Sequence, residues 1–435
     1  MAPKRSSPAG RALRMAGLGV NVAGSYLGYF VQRAFLNAEA RRTKLRSANQ
    51  RAAQRMRGEL ESLRGPAMKL GQALSLQGGV LPEEVLLELS KLQMEAPGMH
   101  PSLMRAQFRN SMGRDPEDVF RSFTPEPFAA ASLGQVHRAV TRSGELVAVK
   151  IQYPGIRDAI AHDFAWFRAV SRPVQATGHV PKGTIDELER QIVAETDYVR
   201  EADNLDFFAG KLAPLGFVSV PRVCREYSTD QVLTMAFARG EHLDAFLRGR
   251  PSQRVRDQIG EHLFELYHYQ ILKLEALHAD PNAGNYFFRR DGTITVVDFG
   301  CVKYLTREFV TDLRALYLYP GARNSAHFKS LLEKRYALFG AKLRPGARRA
   351  LVSFAENFFA KVYPPQAELD DRAFDFGRHA VVKAYMRASE ELLRTRGALP
   401  EYTFLARAEI GLYHMLQRLG ARVHTSQIVR KHLAS

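Results

Sequence analysis

The spacing of hydrophobic and polar residues first predicts a run of helices. Polar, arginine-rich residues from Ser47 to Leu63 favour a helix that a Gly-Pro pair ends. The proline suits the start of a helix over Ala67–Gln77, and apolar residues in Pro82–Gln93 recur at helical spacing. With a short helix over Leu103–Met112, these runs predict a helical extension at residues 59–115.

Alternating patterns further along the chain predict two β-hairpins. The first joins QVHRAV and ELVAVKI, within residues 135–151, through the turn TRSG. The second joins NYFF and TITVV, within residues 285–297, through a turn that contains Asp291-Gly292. The runs FVSVP and QVLTMAF predict two further strands, whereas FAAASLG, which starts at Phe128, predicts a loop.

The other segments have a helical period. We predict one long helix over Thr184–Phe208, a loop at Ala209–Gly216 and a helix over Val255–Ala276. The buried stripe of the first of these helices comprises Ile185, Leu188, Ile192, Thr196 and Val199. Beyond Thr306 every segment predicts helix, with aromatic-rich faces that suit a core. The pattern therefore predicts a chain that contains both strands and many helices.

The length of the chain bounds its number of domains, and its cysteine content is compatible with a reducing environment. At 435 residues, of which 46% are hydrophobic, the chain can form two or three domains, or one two-lobed domain with extensions. Its two cysteines, Cys224 and Cys301, provide neither a disulfide framework nor a metal-ligand cluster. This content suits the cytoplasm.

Positive charge is concentrated at the N-terminus. Residues 1–58 carry twelve basic side chains and one acid, Glu39, and so supply +11 of the net charge of +17. Phospholipid and nucleic acid are the two natural partners of such a segment, and a solvated basic helix is the alternative. Because no base-reading motif occurs, we expect anionic membrane lipid rather than nucleic acid.

An uncharged segment, Met15–Val31, interrupts these basic residues. Seventeen residues at a rise of ~1.5 Å cover roughly 25 Å, which is short of the ~30 Å hydrocarbon core of a bilayer. Four glycines, Asn21 and Ser25 lower its hydrophobicity further. We therefore expect a helix that lies in the membrane interface rather than one that spans the bilayer. A cleaved signal peptide is disfavoured, since the cleavage-like Ala-Glu-Ala lies far beyond the apolar run.

The candidate chemistry is concentrated between His278 and Gly300. Asp280 and Asn285 lie five residues apart, the second hairpin follows, and Asp298 opens a DFG. Such a loop and hairpin can bring the three side chains to one edge of a sheet. Protein kinases use this layout, in which one Asp handles the acceptor hydroxyl and an Asn and an Asp hold Mg²⁺. We therefore assign Asp280 a catalytic role and Asn285 and Asp298 a metal-binding role. The alternative is a surface turn with an incidental DFG.

The first hairpin and the later strands add candidate nucleotide-binding residues. Lys150 fits the strand lysine that pairs with phosphate oxygens in kinases. Alanines stand where a glycine-rich loop is expected, which restricts positive φ and changes how the backbone approaches phosphate. A strand-to-helix connection near residue 238 predicts a hinge at which the base docks. The predicted nucleotide-binding residues are Ala129, Ala130, Ala131, Ser132, Lys150, Met235 and Phe237.

Six motifs in this order give the sequence a family resemblance. KLGQ (Lys69–Gln72), AAAS (Ala129–Ser132), VAVK, ETDYVRE (Glu195–Glu201), HADPNAGN and DFG resemble the motifs of the UbiB/AarF family of atypical kinase-like proteins, over about residues 60–305. The resemblance implies a two-lobed protein-kinase-like fold of the α+β class, with an N-terminal helical extension and an enlarged helical C-terminal lobe. It also implies binding of ATP and Mg²⁺, membrane association and a role supporting ubiquinone or related prenyl-lipid metabolism, with lipid-pathway proteins as partners.

The resemblance further assigns roles to charged residues. Lys150 would pair with Glu201, both with catalytic roles, and Glu195 and Asp197 would form an extra acidic motif that faces Lys69. Regulatory roles are thereby implied for Lys69, Gln72, Glu195 and Asp197. An ion pair between Lys69 and Glu195 would clamp the extension across the cleft where a peptide acceptor would lie.

The expected organisation follows from these assignments. The domains are a basic, membrane-associated segment at 1–58, the extension at 59–115, a kinase-like N-lobe at 116–238 and a C-lobe at 239–435. The expected location is cytoplasmic, at the inner face of a membrane, and the sequence leaves a homodimer open. Two other functions compete with an atypical kinase or ATPase. One is a small-molecule kinase of the aminoglycoside-phosphotransferase type, which KLGQ and ETDYVRE argue against, and the other is a nucleotide-binding scaffold without turnover.

Overall fold

The structure of the protein is a computed structural model. It describes residues 32, 36–63, 99–131, 133–162, 164–165, 168, 184–280, 282–338, 345–364, 373–378, 380, 382–384 and 400–433. Of the predicted features, the Met15–Val31 segment, the KLGQ motif with Lys69 and Gln72, and Ser132 lie outside these ranges. Within the described ranges, no helix is both long enough and apolar enough to cross a membrane.

The first of two compact units comprises Met1–Val119, Phe123–Arg138 and Lys150–Thr196. Its described helices are α1 (Ala38–Leu63), α2 (Pro101–Met112), α3 (Pro116–Val119) and α4 (Thr184–Ala194). Helix α2 begins where the His100 side chain accepts the Ser102 N–H, and it ends at Gly113, which adopts the left-handed conformation with φ 73°.

A five-stranded sheet is formed by β1 (Ser122–Phe123), β2 (Ala129–Ala131), β3 (Gly134–Val140), β4 (Leu146–Gln152) and β6 (Val232–Ala236). Strand β5 (Val218–Ser219), which lies between β4 and β6 in the chain, belongs to another sheet. The sheet has the order β1-β3-β4-β6, with β2 paired to β3. The predicted first hairpin is thus confirmed as β3 and β4. The predicted loop at the alanines is wrong, because Ala129–Ala131 pair antiparallel with β3 as a short strand.

The predicted single helix over Thr184–Phe208 is also wrong. Helix α4 ends at Ala194, and a new helix, α5 (Tyr198–Leu212), begins after Asp197. The Asp197 side chain accepts the Arg200 N–H at 3.0 Å, which is the bond of an N-cap. Helix α5 also runs past residue 208, so the predicted loop starts too early.

The second unit comprises Phe120–Ser122, Ala139–Val149 and Asp197–Ser435. Besides α5, its described helices are α6 (Leu243–Arg248), α7 (Gln253–Leu272), α8 (Arg307–Tyr317), α9 (Ala326–Leu338), α10 (Pro345–Val362), α11 (Pro400–Leu419) and α12 (Thr425–Leu433). One hydrophobic cluster joins them, and it is rich in buried aromatic rings, as the sequence predicts. Helix α7 stops before the predicted Ala276, since Glu275 adopts a positive φ of 51° and the chain turns into a strand.

Three small sheets complete the second unit. Their further strands are β7 (Ala276–His278), β8 (Tyr286–Phe288), β9 (Ile294–Val296), β10 (Val302–Tyr304), β11 (Phe374–Asp375) and β12 (Arg422–Val423). The predicted second hairpin is confirmed as antiparallel β8 and β9, and β5 pairs with β9 in parallel. Strand β7 pairs with β10. The expectation of helix alone beyond Thr306 is wrong for β11 and β12, which pair with each other.

Candidate active site

Two strand pairs place the Asp280 loop beside the DFG. Next to the β7–β10 pair, the Ala279 N–H donates to the Cys301 carbonyl at 2.9 Å. Next to the β8–β9 pair, the Val297 N–H donates to the Asn285 carbonyl at 3.0 Å. The residues that flank the loop 279–285 therefore lie against the residues that flank Asp298. The structure thus brings together the two chain segments that carry the predicted catalytic and metal-binding side chains.

Asp280 and Asn285 are joined directly. The Asn285 Nδ2 donates to Asp280 Oδ2 at 2.7 Å, and the Asn282 N–H donates to Asp280 Oδ1 at 3.2 Å. The Asn282 side chain in turn accepts the Gly284 N–H at 2.9 Å and starts the short helical turn before β8. Because the amide nitrogen of Asn285 faces Asp280, its amide oxygen remains as a potential ligand for a hard cation.

Gly300 leaves space for two carboxylates. Its N–H donates to Asp298 Oδ1 at 2.9 Å. A Cβ added at Gly300 would lie 3.2 Å from Asp298 Oδ1 and 3.8 Å from Glu201 Oε2. Glu201 is buried, with 1% of its surface exposed, and Asp298 is half-buried. The predicted metal ligand and the predicted helix carboxylate thus approach the same glycine within the second unit.

His278 is buried in the protein, near both Asp280 and Asp298. Its complete burial lowers the pKa of the imidazole, and the charges of Asp280 and Asp298 oppose that shift. Its Nδ1 lies 3.3 Å from the Tyr286 hydroxyl, and burial raises the pKa of that tyrosine. The buried imidazole therefore lies within electrostatic range of both aspartates, and its burial disfavours the charged form.

The residues predicted to bind a metal would by themselves form only a partial site. No cluster of three or more His, Cys, Asp or Glu side chains suited to a metal exists among the described residues. Mg²⁺ is usually bound by one or two carboxylates together with substrate phosphates, rather than by a cage of protein ligands alone. An amide oxygen from Asn285 and a carboxylate from Asp298 fit that mode in number and in chemistry.

The cavity beside Asp280 is not large enough for a nucleotide. It has a volume of about 20 Å³, whereas ligand pockets usually have roughly 300–1,000 Å³. It is lined by His278 and Asp280 together with apolar side chains such as Leu263, Leu277 and Met415. We therefore do not place the nucleotide in this cavity.

The nucleotide-binding candidates of the first unit lie around β4. Lys150 lies inside β4, with 7% of its surface exposed. A Cβ added at Gly134 would lie 2.2 Å from the Ile151 carbonyl oxygen, so the close approach of β3 and β4 next to Lys150 requires glycine. Because Lys150 and Glu201 belong to different units, their pairing stays a prediction.

The hinge candidates are held by backbone hydrogen bonds. Met235 is buried in the hydrophobic core of the second unit, and Phe237 is half-buried. The Ala236 N–H donates to the Arg222 carbonyl at 2.9 Å, and the Phe237 N–H donates to the Leu146 carbonyl at 3.1 Å. The end of β6 is therefore held in place by these hydrogen bonds. Its predicted contact with the nucleotide base stays a prediction.

Of the ETD motif, Thr196 is hydrogen-bonded within the first unit. The Thr196 carbonyl accepts from Gln152 Nε2 at 2.6 Å and from Arg157 Nη2 at 3.2 Å. Glu195 is half-buried next to it. Since Lys69 is outside the described residues, a Lys69–Glu195 pair stays a prediction.

Sequence reasoning missed the role of Asp197 as the N-cap of α5, although Asp is among the preferred N-cap residues. It also missed two side chains of α5, Arg200 and Asn204, which bond to the DFG backbone. No local pattern indicates these two bonds, since each joins residues about a hundred positions apart.

Comparisons with known proteins identify the family of the chain. The model of the ABC1 atypical kinase-like domain matches residues 91–331, which is more than half of the chain. An uncharacterised protein of Synechocystis is 30% identical over 384 residues, and the match covers 84% of this chain but only 65% of that protein. The mitochondrial atypical kinase COQ8 of Saccharomyces cerevisiae is 29% identical over 390 residues, which cover 87% of this chain and 75% of the yeast protein.

A solved structure extends the comparison to the fold. Rv3197 of Mycobacterium tuberculosis, solved in a complex with erythromycin, is 26% identical and superposes with a TM-score of 0.60. The superposition covers 86% of this chain and 93% of the other. The predicted kinase-like fold with mixed helices and sheets is confirmed by these matches.

Proposed function

Because the chain belongs to the family of ABC1 atypical kinase-like proteins, which includes the UbiB/AarF proteins, we propose that it binds Mg-ATP and turns it over at a membrane. The acceptor is water or a component of ubiquinone or related prenyl-lipid metabolism. The observation that carries the proposal is the Asn285–Asp280 hydrogen bond of 2.7 Å in a loop whose backbone pairs with the segment around Asp298.

Each residue of the site has a defined task. Asn285 and Asp298 would hold Mg²⁺, and Lys150 would pair with the phosphates. Mg-ATP supplies the phosphoryl group and a cation that neutralises the charge on its oxygens. Asp280 would accept a hydrogen bond from the attacking hydroxyl or water, since the Asn285 amide holds its carboxylate in one orientation.

The membrane and pathway parts of the proposal rest on other features. The charge of +11 over residues 1–58 supports attraction to anionic lipid, at about 1 kcal/mol for each basic residue near the surface. The link to prenyl-lipid metabolism rests on the family resemblance, and it is supported by relatives named as atypical kinases COQ8 and coq-8 in yeast and Caenorhabditis elegans. The proposed location is the cytoplasmic face of a membrane.

Release of ADP from Mg-ATP tests the proposal. The full chain is assayed with and without vesicles that contain an anionic phospholipid, next to a variant that lacks residues 1–58. We expect slow, Mg-dependent ADP release that anionic vesicles raise in the full chain only. Nucleotide binding without any ADP release would favour a scaffold, and the absence of Mg-dependent binding would contradict the proposed function.

The acceptor is tested separately. If Lys69 and Glu195 clamp the extension across the cleft, radiolabelled ATP will not label generic peptides, and Lys69→Ala will change the rate of ATP turnover or autophosphorylation. Robust peptide labelling by the wild-type protein would contradict the occluded cleft. Equal rates in the two proteins would contradict the ion pair.

A further inference from the structure

Helix α5 is attached at three points to the two residues that follow the metal-ligand candidate. Asn204 Nδ2 donates to the Phe299 carbonyl at 2.8 Å, and Arg200 Nη2 donates to the Gly300 carbonyl at 3.1 Å. The Phe208 ring stacks on the Phe299 ring, with 4.4 Å between centroids and 19° between the planes. Two consecutive carbonyls and one ring of the DFG are therefore held by a single helix.

These attachments determine the orientation of the Asp298 carboxylate. Asp298 Oδ1 accepts the Gly300 N–H at 2.9 Å, so the carboxylate follows the path of the backbone at residues 299 and 300. If that backbone rotates, the hydrogen bond and the carboxylate move with it. The backbone that α5 holds is thus the same backbone to which the Asp298 carboxylate is bonded.

Asn204 contributes more to this coupling than Arg200. Asn204 is buried, with 8% of its surface exposed, so water cannot readily replace its amide at the Phe299 carbonyl, and loss of the amide would leave a buried acceptor unsatisfied. Arg200 is exposed, and water can take its place at the Gly300 carbonyl. The buried bond is therefore the one whose loss should be measurable.

We propose that Asn204 is a positioning residue of the metal site, which fixes the orientation of Asp298 by holding the Phe299 carbonyl. This inference rests on the proposed function, because it requires Asp298 to be a metal ligand. Helix α5 would then orient Asp298 in addition to carrying Glu201. The role proposed for Asn204 is to act on the site through the Phe299 carbonyl.

The dependence of nucleotide binding on Mg²⁺ tests this role without any turnover. Binding of a fluorescent ADP analogue to the full chain is followed while Mg²⁺ is titrated. We expect Asn204→Leu, which removes the amide at similar volume, to raise the Mg²⁺ midpoint about tenfold, the effect of one buried hydrogen bond. Affinity for the analogue without Mg²⁺ should stay unchanged, and Arg200→Met should raise the midpoint about twofold.

A matched control lies on the same helix. Asp203 is exposed and pairs with Arg225 at 2.8 Å, so Asp203→Ala should leave the Mg²⁺ midpoint unchanged. In an Asp298→Asn background, where Mg-dependent binding is expected to be lost, Asn204→Leu should leave the remaining Mg-independent affinity for the analogue unchanged. If a thermal melt shows that Asn204→Leu does not fold, Asn204→Ser, whose side chain is too short to reach the carbonyl, carries the same test.

The outcomes separate this inference from the proposed function. An unchanged midpoint in Asn204→Leu, or an equal loss of affinity with and without Mg²⁺, would overturn the positioning role. If the wild-type protein binds the analogue without any dependence on Mg²⁺, this result contradicts the proposed function, and the positioning role is contradicted with it. A shifted midpoint with unchanged metal-free affinity supports both.

Discussion

Two carboxylates of the second unit, Glu265 and Asp280, accept hydrogen bonds from different kinds of donor. Glu265 is buried, and its Oε1 accepts from Lys431 Nζ at 2.7 Å and from His432 Nε2 at 2.8 Å. Asp280 accepts from an amide, Asn285 Nδ2, and from a backbone N–H. The first carboxylate is thus neutralised by basic side chains of α12, whereas the second is oriented by neutral donors.

This difference indicates that Glu265 contributes to stability, whereas Asp280 is predicted to contribute to function. The hydrogen bond from His432 and the neighbouring Lys431 lower the pKa of Glu265 to about 2, against the effect of its burial, so the folded state gains from its charge. At the predicted catalytic loop, neutral donors fix the direction of the Asp280 carboxylate and add no positive charge beside it. Substitutions in the two regions should therefore affect different measurements.

The largest effect is expected at the metal ligand. Asp298→Asn should abolish Mg-dependent nucleotide binding and leave the unfolding temperature nearly unchanged, because the amide still accepts the Gly300 N–H but no longer carries the charge that holds the metal. A thermal-shift titration with ATP, with and without Mg²⁺, measures both properties. Retention of the Mg²⁺ dependence would contradict the role of Asp298.

The next largest effect is expected at Glu265, and it should appear in stability alone. Glu265→Gln removes the charge that Lys431 and His432 share, so we expect a loss of about 2 kcal/mol in the free energy of unfolding. Urea unfolding of both proteins at pH 7 measures this loss. Mg-dependent nucleotide binding by the folded variant should equal that of the wild type, and a large change in that binding would contradict the separation of the two regions.

Acid should lower the free energy of unfolding in two steps, because two residues of α7 titrate in different pH ranges. Burial lowers the pKa of His268 to about 3 from 6.5, so the unfolded state binds more protons and stability falls as the pH drops below about 6.5. The lowered pKa of Glu265 adds a loss only as the pH falls below about 4.5. We therefore expect Glu265→Gln to flatten the curve of stability against pH below about 4.5 and to leave the earlier decline unchanged.

The smallest effect is expected at Glu261, one turn earlier on α7. Glu261 pairs with His424, and about a third of each side chain is exposed. Glu261→Gln should therefore cost less than about 1 kcal/mol in the free energy of unfolding, as is usual for a surface ion pair. A loss equal to that of Glu265→Gln in the same urea series would show that burial does not distinguish the two sites.

What the sequence could predict depends on how far apart the interacting residues lie. The hairpin of β8 and β9 and the Asp280–Asn285 loop follow from local turn chemistry and from a spacing of five residues, so the pattern alone indicates them. The break between α4 and α5 is also local, but the helical period of its apolar residues hid the capping signal of Asp197. The Asn204–Phe299 and Glu265–His432 contacts join residues 95 and 167 positions apart, and only tertiary packing specifies them.

The parallel pairing of β5 with β9 has a consequence for synthesis of the chain on the ribosome. Ser219 contacts Thr295 through their hydroxyl groups at 2.8 Å, across a separation of 76 residues. At roughly 5–20 residues per second, β5 emerges on the order of ten seconds before its partner exists. Strands β8 and β9, by contrast, can pair within roughly 10 μs of one another once both have emerged. The β8–β9 hairpin can therefore form before β5 pairs with β9, although β5 is synthesised first.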